Sequence, residues 1–137
     1  MSIPKSPPAR YISSRQLIAG ADMNNLNDHS FSFQTVTPAG ATQATATPLD
    51  AANVEIAAAA PAGGVILPVS YPGQEVAIIN NSLNTTTVYP NGATDVIQNG
   101  ATGYAAALAG VTVATLVSIV FTCIKQGFWQ VTKTTGP

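Results

Sequence analysis

The stretch GVILPVSYPGQEVAIINNS, residues 64–82, decides the fold class of this chain. Val65, Ile66 and Leu67 make a short apolar run that stops at Pro68, and Glu75 to Ile79 make a second run after the triplet Tyr71-Pro72-Gly73. Proline fixes φ and gives up its amide donor while glycine supplies positive φ, so the triplet is a turn between the two runs. β-Branched Val and Ile pack well on a pleated surface, and both runs read as strands. Asn80-Asn81-Ser82 reads as the next turn.

The same grammar extends in both directions. Towards the C-terminus, Thr85 to Tyr89 alternates with period two, and Pro90-Asn91-Gly92 suits a turn. Asn99-Gly100 after Val96-Ile97 predicts a hairpin. Val111 to Ile124 is too long for one typical strand and predicts a bend or bulge, after which Lys125-Gln126-Gly127 turns the chain into Phe128 to Thr132. Towards the N-terminus, Val54 and Ile56 alternate with Asn53 and Glu55, so Asn53 to Ala60 reads as a strand ended by Pro61, Gly63 and Gly64. Residues 38–50, small and Thr-rich, read as a strand or linker of weak register. Repeated short strands with no β-α alternation predict an all-β fold, an antiparallel sandwich or barrel, over residues 31–137.

Residues 1–30 differ in kind and predict an extended N-terminal arm. Pro4, Pro7 and Pro8 bias Ile3 to Ala9 towards extended or polyproline conformation. A short helix is predicted after Gly20, capped by Asp22, with Met23 and Leu26 on one face. Lys5, Arg10 and Arg15 are the only charges before Asp22, so the first 21 residues carry +3 while the remainder is net acidic. Interleaved with Tyr11, Ile12, Leu17 and Ile18, these cations mark the arm as a partner-binding element that docks on an acidic surface.

Only 8% of the 137 residues are charged, against about 25% in an ordinary soluble domain. An isolated monomer of this composition exposes much uncharged surface, which predicts a homo-oligomer or a larger assembly. The net charge of −1 gives no general attraction to nucleic acid or to acidic membranes. Residues 96–124 contain no charge, but Gln98, Asn99, Thr102, Thr112, Thr115, Ser118 and Thr122 interrupt them and the apolar positions favour strands. No apolar h-region follows MSIPKSPPAR, so the chain is expected to stay in the cytoplasm where it is made, and the sequons at Asn80 and Asn84 are expected to carry no glycan.

The chemical inventory is thin. Cys123 is the single cysteine, which excludes an intrachain disulfide and a cysteine zinc cluster. The single histidine, His29, lies between Asp28 and Ser30 in the arm, and neighbouring residues of an extended chain point to opposite sides, which argues against a hydrolytic triad. A calcium loop starting at Asp22 would need an oxygen ligand at Leu26, glycine at Asn27 and glutamate at Phe33. Ala62-Gly63-Gly64 matches neither a dinucleotide fingerprint nor a P-loop. No catalytic, cofactor or metal residue is predicted. Phe128 and Trp129, after the Gly127 turn, are the expected core or oligomer anchors.

Taken in order, Gly64 to Pro68, Gly73 to Asn80, Val88 to Pro90, Asp95 to Gly100 and the closing pair Phe128-Trp129 resemble a β-domain of tailed-bacteriophage virion proteins: head decoration, head fibre and tail-associated proteins. The resemblance spans roughly residues 64–131. It implies a small β-domain that trimerises on the virion. The function expected on that basis is capsid decoration, with the arm attached to the major capsid protein and assembly in the host cytoplasm. A tail or fibre component in contact with host glycan is the alternative, and a small membrane protein the third class.

Overall fold

The structure is a computed structural model that describes residues 32–99 and 109–136. The arm, its predicted short helix, His29 and the Asp22 to Asp28 cluster all lie outside the described residues. Ten strands are present among the described residues: β1 Phe33–Val36, β2 Thr47–Pro48, β3 Asn53–Ile56, β4 Gly64–Ile66, β5 Glu75–Asn80, β6 Thr86–Tyr89, β7 Val96–Gln98, β8 Val111–Val113, β9 Ser118–Lys125 and β10 Phe128–Thr135. A single 3-10 turn, Gln43–Thr45, is the only helical element among the described residues.

The strands form two sheets, one of six in the order β1-β3-β5-β9-β10-β7 and one of four in the order β2-β4-β6-β8. This is the expected all-β class. Strand direction departs from the antiparallel expectation. β1, β3 and β5 run parallel, as do β2, β4 and β6. Antiparallel pairing joins β5 with β9, β9 with β10, and β6 with β8, beside an isolated bridge between Ala39 and Gly64. The reason lies in the connections. From β1 to β6 the strands alternate between the two sheets, so the chain winds through three coils that each give one strand to each sheet. Successive coils therefore stack in the same direction. Phe33, Asn53 and Ala77 align across one sheet, and Thr47, Val65 and Val88 across the other.

The turn signals locate correctly but make these crossings rather than hairpins. At Tyr71-Pro72-Gly73, the Gln74 amide donates to the Tyr71 carbonyl at 3.1 Å and Gly73 has φ of 87°, a conformation that needs glycine. This turn links β4 to β5, which lie in different sheets. β7 pairs in parallel with β10, from Phe128↔Val96 to Gln130↔Gln98, and the hairpin expected at Asn99-Gly100 runs into residues outside the described ones. The bend expected within Val111 to Ile124 is a change of sheet between β8 and β9. Among the described residues no helix is long and apolar enough to cross a membrane. β9 and β10 do form the predicted hairpin, through Gln126 and Gly127 (φ 81°).

The β8–β9 crossing turns at Leu116, whose φ of 61° places a side chain in the left-handed region. Its amide donates to the Asn80 carbonyl at 2.6 Å, while the Asn80 amide donates to the Val117 carbonyl at 3.0 Å, which holds the turn in place. Left-handed backbone costs an L-residue about 1–2 kcal/mol, and glycine avoids that cost while losing less than this in chain entropy. Leu116 is exposed, so its side chain contributes little burial. Leu116→Gly is therefore expected to leave stability unchanged or raise it by up to about 1 kcal/mol. Thermal unfolding followed by circular dichroism checks this, and a clear loss of melting temperature would mean that Leu116 is packed.

Inward residues of both sheets interleave. Val54, Ile56, Val76, Ile78, Ile119, Phe121, Ile97 and Trp129 come from the six-stranded sheet and meet Val65, Val88, Val111 and Val113 from the four-stranded one. Alternation is regular in β5 and β9, where Val76, Ile78, Ile119, Phe121 and Cys123 are buried while Glu75 and Ile79 face outward and are exposed.

Candidate functional site

Trp129 lies in the six-stranded sheet, in register with Cys123 of β9 and Ile97 of β7, and is fully buried. It is a core anchor. Its indole Nε1–H meets no acceptor among the described residues. Phe128 precedes it on the strand and so faces outward. It is half-buried, with the Lys125 Nζ 4.1 Å from its ring centroid, a cation–π contact at the mouth of the hairpin. The two residues read together from sequence thus do separate work.

Cys123 is also fully buried, and its thiol donates to the Lys125 carbonyl at 3.2 Å. Burial pushes its pKa up, and the nearby Asp95 carboxylate pushes it the same way. The thiolate is the reactive form, so this is an inert core thiol. Among the described residues no group of three or more His, Cys, Asp and Glu side chains could hold a metal ion.

Asn80, read from sequence only as part of a turn, is a buried polar hub. Its Nδ2 donates to the Asn84 carbonyl at 2.9 Å and the Val113 carbonyl at 3.1 Å. Its Oδ1 accepts from the Ser82 amide at 3.0 Å and the Ser82 hydroxyl at 2.7 Å. Asn84 Nδ2 in turn donates to the Ala59 carbonyl at 2.7 Å. Both sequon asparagines therefore spend their amide groups inside the fold. This network ties the β5–β6 loop to β8 and is structural.

An open groove of about 910 Å³ lies on the outer side of the six-stranded sheet. Its floor comes from Asn53 of β3, Ala77 of β5 and Val120 of β9, which share one register row. One wall is the loop from Pro68 to Gly73, with Val69 and Tyr71 exposed, and Asp50 and Glu75 also line the groove. The Tyr71–Gly73 loop is fastened to β9, because the Gly73 amide donates to the Cys123 carbonyl and the Cys123 amide to the Gln74 carbonyl, each at 2.8 Å. Gln74 Oε1 accepts from the Tyr71 amide at 3.2 Å. Asn53 Nδ2 donates to the Ser32 carbonyl at 3.1 Å, and Asn91 Nδ2 to the Leu67 carbonyl at 3.2 Å. The amides of the groove are thus engaged with backbone. The carboxylates of Asp50 and Glu75 take no hydrogen bond or ion pair among the described residues. The groove offers an exposed tyrosine, small apolar side chains and two carboxylates, a surface for an extended segment with apolar and cationic groups.

Sequence reasoning singled out none of these groove residues as a set, because Asp50, Tyr71 and Glu75 come together only through the change of sheet. Of the predicted partner-binding residues, Lys5, Arg10, Tyr11, Ile12, Arg15, Leu17 and Ile18 all lie outside the described residues. Compared with known protein families, curated proteins and solved structures, the chain matches none.

Proposed function

We propose that this chain is a structural protein of a tailed-bacteriophage virion, without enzymatic activity, that decorates the capsid. In this reading the β-domain self-associates as a homotrimer and the N-terminal arm attaches it to the major capsid protein, with assembly in the host cytoplasm. The observation that carries the reading is the outer face of the six-stranded sheet. Phe33, Asn53, Ala77 and Val120 form a row without charge across four strands, and Phe33 is 66% exposed. Ile79 beside it, and Leu83, Leu116 and Ile124 elsewhere, are also exposed. Large apolar side chains left this open to solvent are suited to being covered in an assembly. Copies bound to an assembled shell add free energy to the assembled state alone, which is how a decorating protein stabilises a head.

Light scattering on the purified chain is expected to give a trimer, and imaging of intact particles is expected to place the protein on the head. A well-behaved monomer at micromolar concentration, together with a tail location, would sink the proposal. Tail or fibre membership with host-glycan contact is the second reading. Its support is Tyr71, 63% exposed in a groove that also holds Asp50, Asn53 and Asn91, since an aromatic face beside polar groups is a common sugar surface. Binding to a panel of host surface glycans, abolished by Tyr71→Ala, would favour it.

A further inference from the structure

We propose that the groove beside Tyr71 is the seat of the chain's own N-terminal segment, which lies along it through its cations and apolar residues. Three observations converge. The first is where the described chain begins. The amide and the Nδ2 of Asn53 both donate to the Ser32 carbonyl at 3.1 Å, and the Ala52 amide donates to the Ser32 hydroxyl at 3.0 Å. Ala52 and Asn53 line the groove, so Ser32, the first described residue, sits at its rim. From Ser32 back to Arg15 is 17 residues (32 − 15), which extended span up to about 55 Å, ample to reach any point of the groove. A tether of this length also gives an effective concentration in the millimolar range, so modest contacts suffice to seat it.

The second observation is charge. The segment before Asp22 carries Lys5, Arg10 and Arg15, three of the five cations in the sequence. The groove contains Asp50 and Glu75, with no cation among its lining residues and no partner for either carboxylate among the described residues. The third is chemistry of shape. Pro4, Pro7, Pro8, Tyr11 and Ile12 give the segment an extended, apolar character. Proline-rich extended segments dock in shallow aromatic-lined grooves, and Val69, Tyr71 and Pro72 supply such a wall. Seating the arm here covers the exposed Tyr71 in the free protein and leaves the arm available to a competing partner surface. The inference does not depend on the virion reading, because no particle enters its test.

Trypsin reads it directly. Lys5, Arg10 and Arg15 are followed by Ser6, Tyr11 and Gln16, so all three are cleavable, and the remaining sites, Lys125 and Lys133, lie in the β9–β10 hairpin. The full-length chain is digested alongside a synthetic peptide of residues 1–31, and cleavage after Arg10 and Arg15 is timed by mass spectrometry. The expected result is cleavage clearly slower in the full chain than in the peptide. Asp50→Asn with Glu75→Gln should speed it by about five-fold, the effect of removing two surface ion pairs. Tyr71→Ala should speed it as well. Glu55→Gln, on the same sheet face but outside the groove, should leave it unchanged. Both groove acids are exposed, and continued resistance at Lys125 verifies that each variant remains folded. Cleavage as fast as in the peptide, or protection indifferent to the Asp50 and Glu75 changes, would overturn the proposal. Protection that rises with protein concentration would overturn it too, by assigning the groove to a second copy's arm. So would protection lost on adding a neutral oligosaccharide panel while the acid variants have no effect, which would mark a sugar site.

Discussion

Trp129→Ala is expected to remove about 3–5 kcal/mol of stability, the range for deleting a fully buried large aromatic side chain. A domain of this size has in total about 5–15 kcal/mol, so the variant should sit near the edge of folding at room temperature. The position explains the size. Trp129 lies between Cys123 and Ile97, and it belongs to the strand that joins β7 to the rest of the six-stranded sheet. A cavity there loosens two pairings at once. Trp129→Phe is the informative companion. It removes an indole N–H that has no acceptor among the described residues, relieving a penalty of about 1–3 kcal/mol that offsets part of the lost packing, so it should cost less than half as much as alanine. Urea unfolding monitored by circular dichroism measures both. Equal losses for Phe and Ala would mean that the N–H has an acceptor after all, and no loss for Ala would mean that the residue is not in the core.

The strands were largely legible because their cause is local. β-Branched runs bounded by Pro, Gly and Asn place β4, β5 and β6 within a residue or two of where they occur, and the Pro72-Gly73 and Gln126-Gly127 turns fall where proline and glycine demand them. Strand direction was not legible, and the reason is physical. Side chains alternate with period two in parallel and antiparallel strands alike, so Val76 and Ile78 point inward whichever way β3 runs beside them. Direction is decided by whether a turn folds the chain back on its own strand or carries it to the other sheet. The residues of the Tyr71–Gln74 turn are compatible with both. The packing of Tyr71 to Gln74 onto β9, more than forty residues later in the chain, selects the crossing.

The same distinction governs the sites. Trp129 was legible as a buried anchor since a large aromatic after a tight turn has one good place to go. Phe128 was read with it, yet alternation sends adjacent residues to opposite faces, and a strict use of period two separates the pair. The groove was invisible, because Asp50, Tyr71 and Glu75 are brought together by the two-sheet winding and carry no shared motif. Asn80 was hidden for another reason. Asparagine at the end of an apolar run is a common turn former, and its burial depends on Val113, which lies thirty-three residues away.

That hub gives the second large effect. Asn80→Ala is expected to cost about 3–5 kcal/mol, because two or three buried groups lose their partners at about 1–3 kcal/mol each. The Val113 carbonyl loses its Nδ2 donor, and the Ser82 amide and hydroxyl lose the Oδ1 acceptor. The backbone bonds from Asn80 to Val117 and Leu116 survive the substitution, so the loss reports the side chain alone. Asn80→Asp sharpens the test. An aspartate keeps the shape and the acceptor towards Ser82 but turns an oxygen on the Asn84 and Val113 carbonyls, where only a protonated carboxyl can donate. Its charged form is disfavoured by burial and by those carbonyls, so its folded pKa must lie above the value of about 3.9 in the unfolded chain. The sign follows from linkage. Below about pH 4 the carboxyl is protonated in both states and the variant retains most of its stability; as the pH rises above that value the unfolded state releases its proton first and stability falls. Melting temperatures from pH 3 to pH 7, compared with the parent chain at each pH, should therefore diverge increasingly upward in pH. A difference that is small and independent of pH would show that the Asn80 side chain reaches solvent and that the β5–β6 loop is held by other contacts.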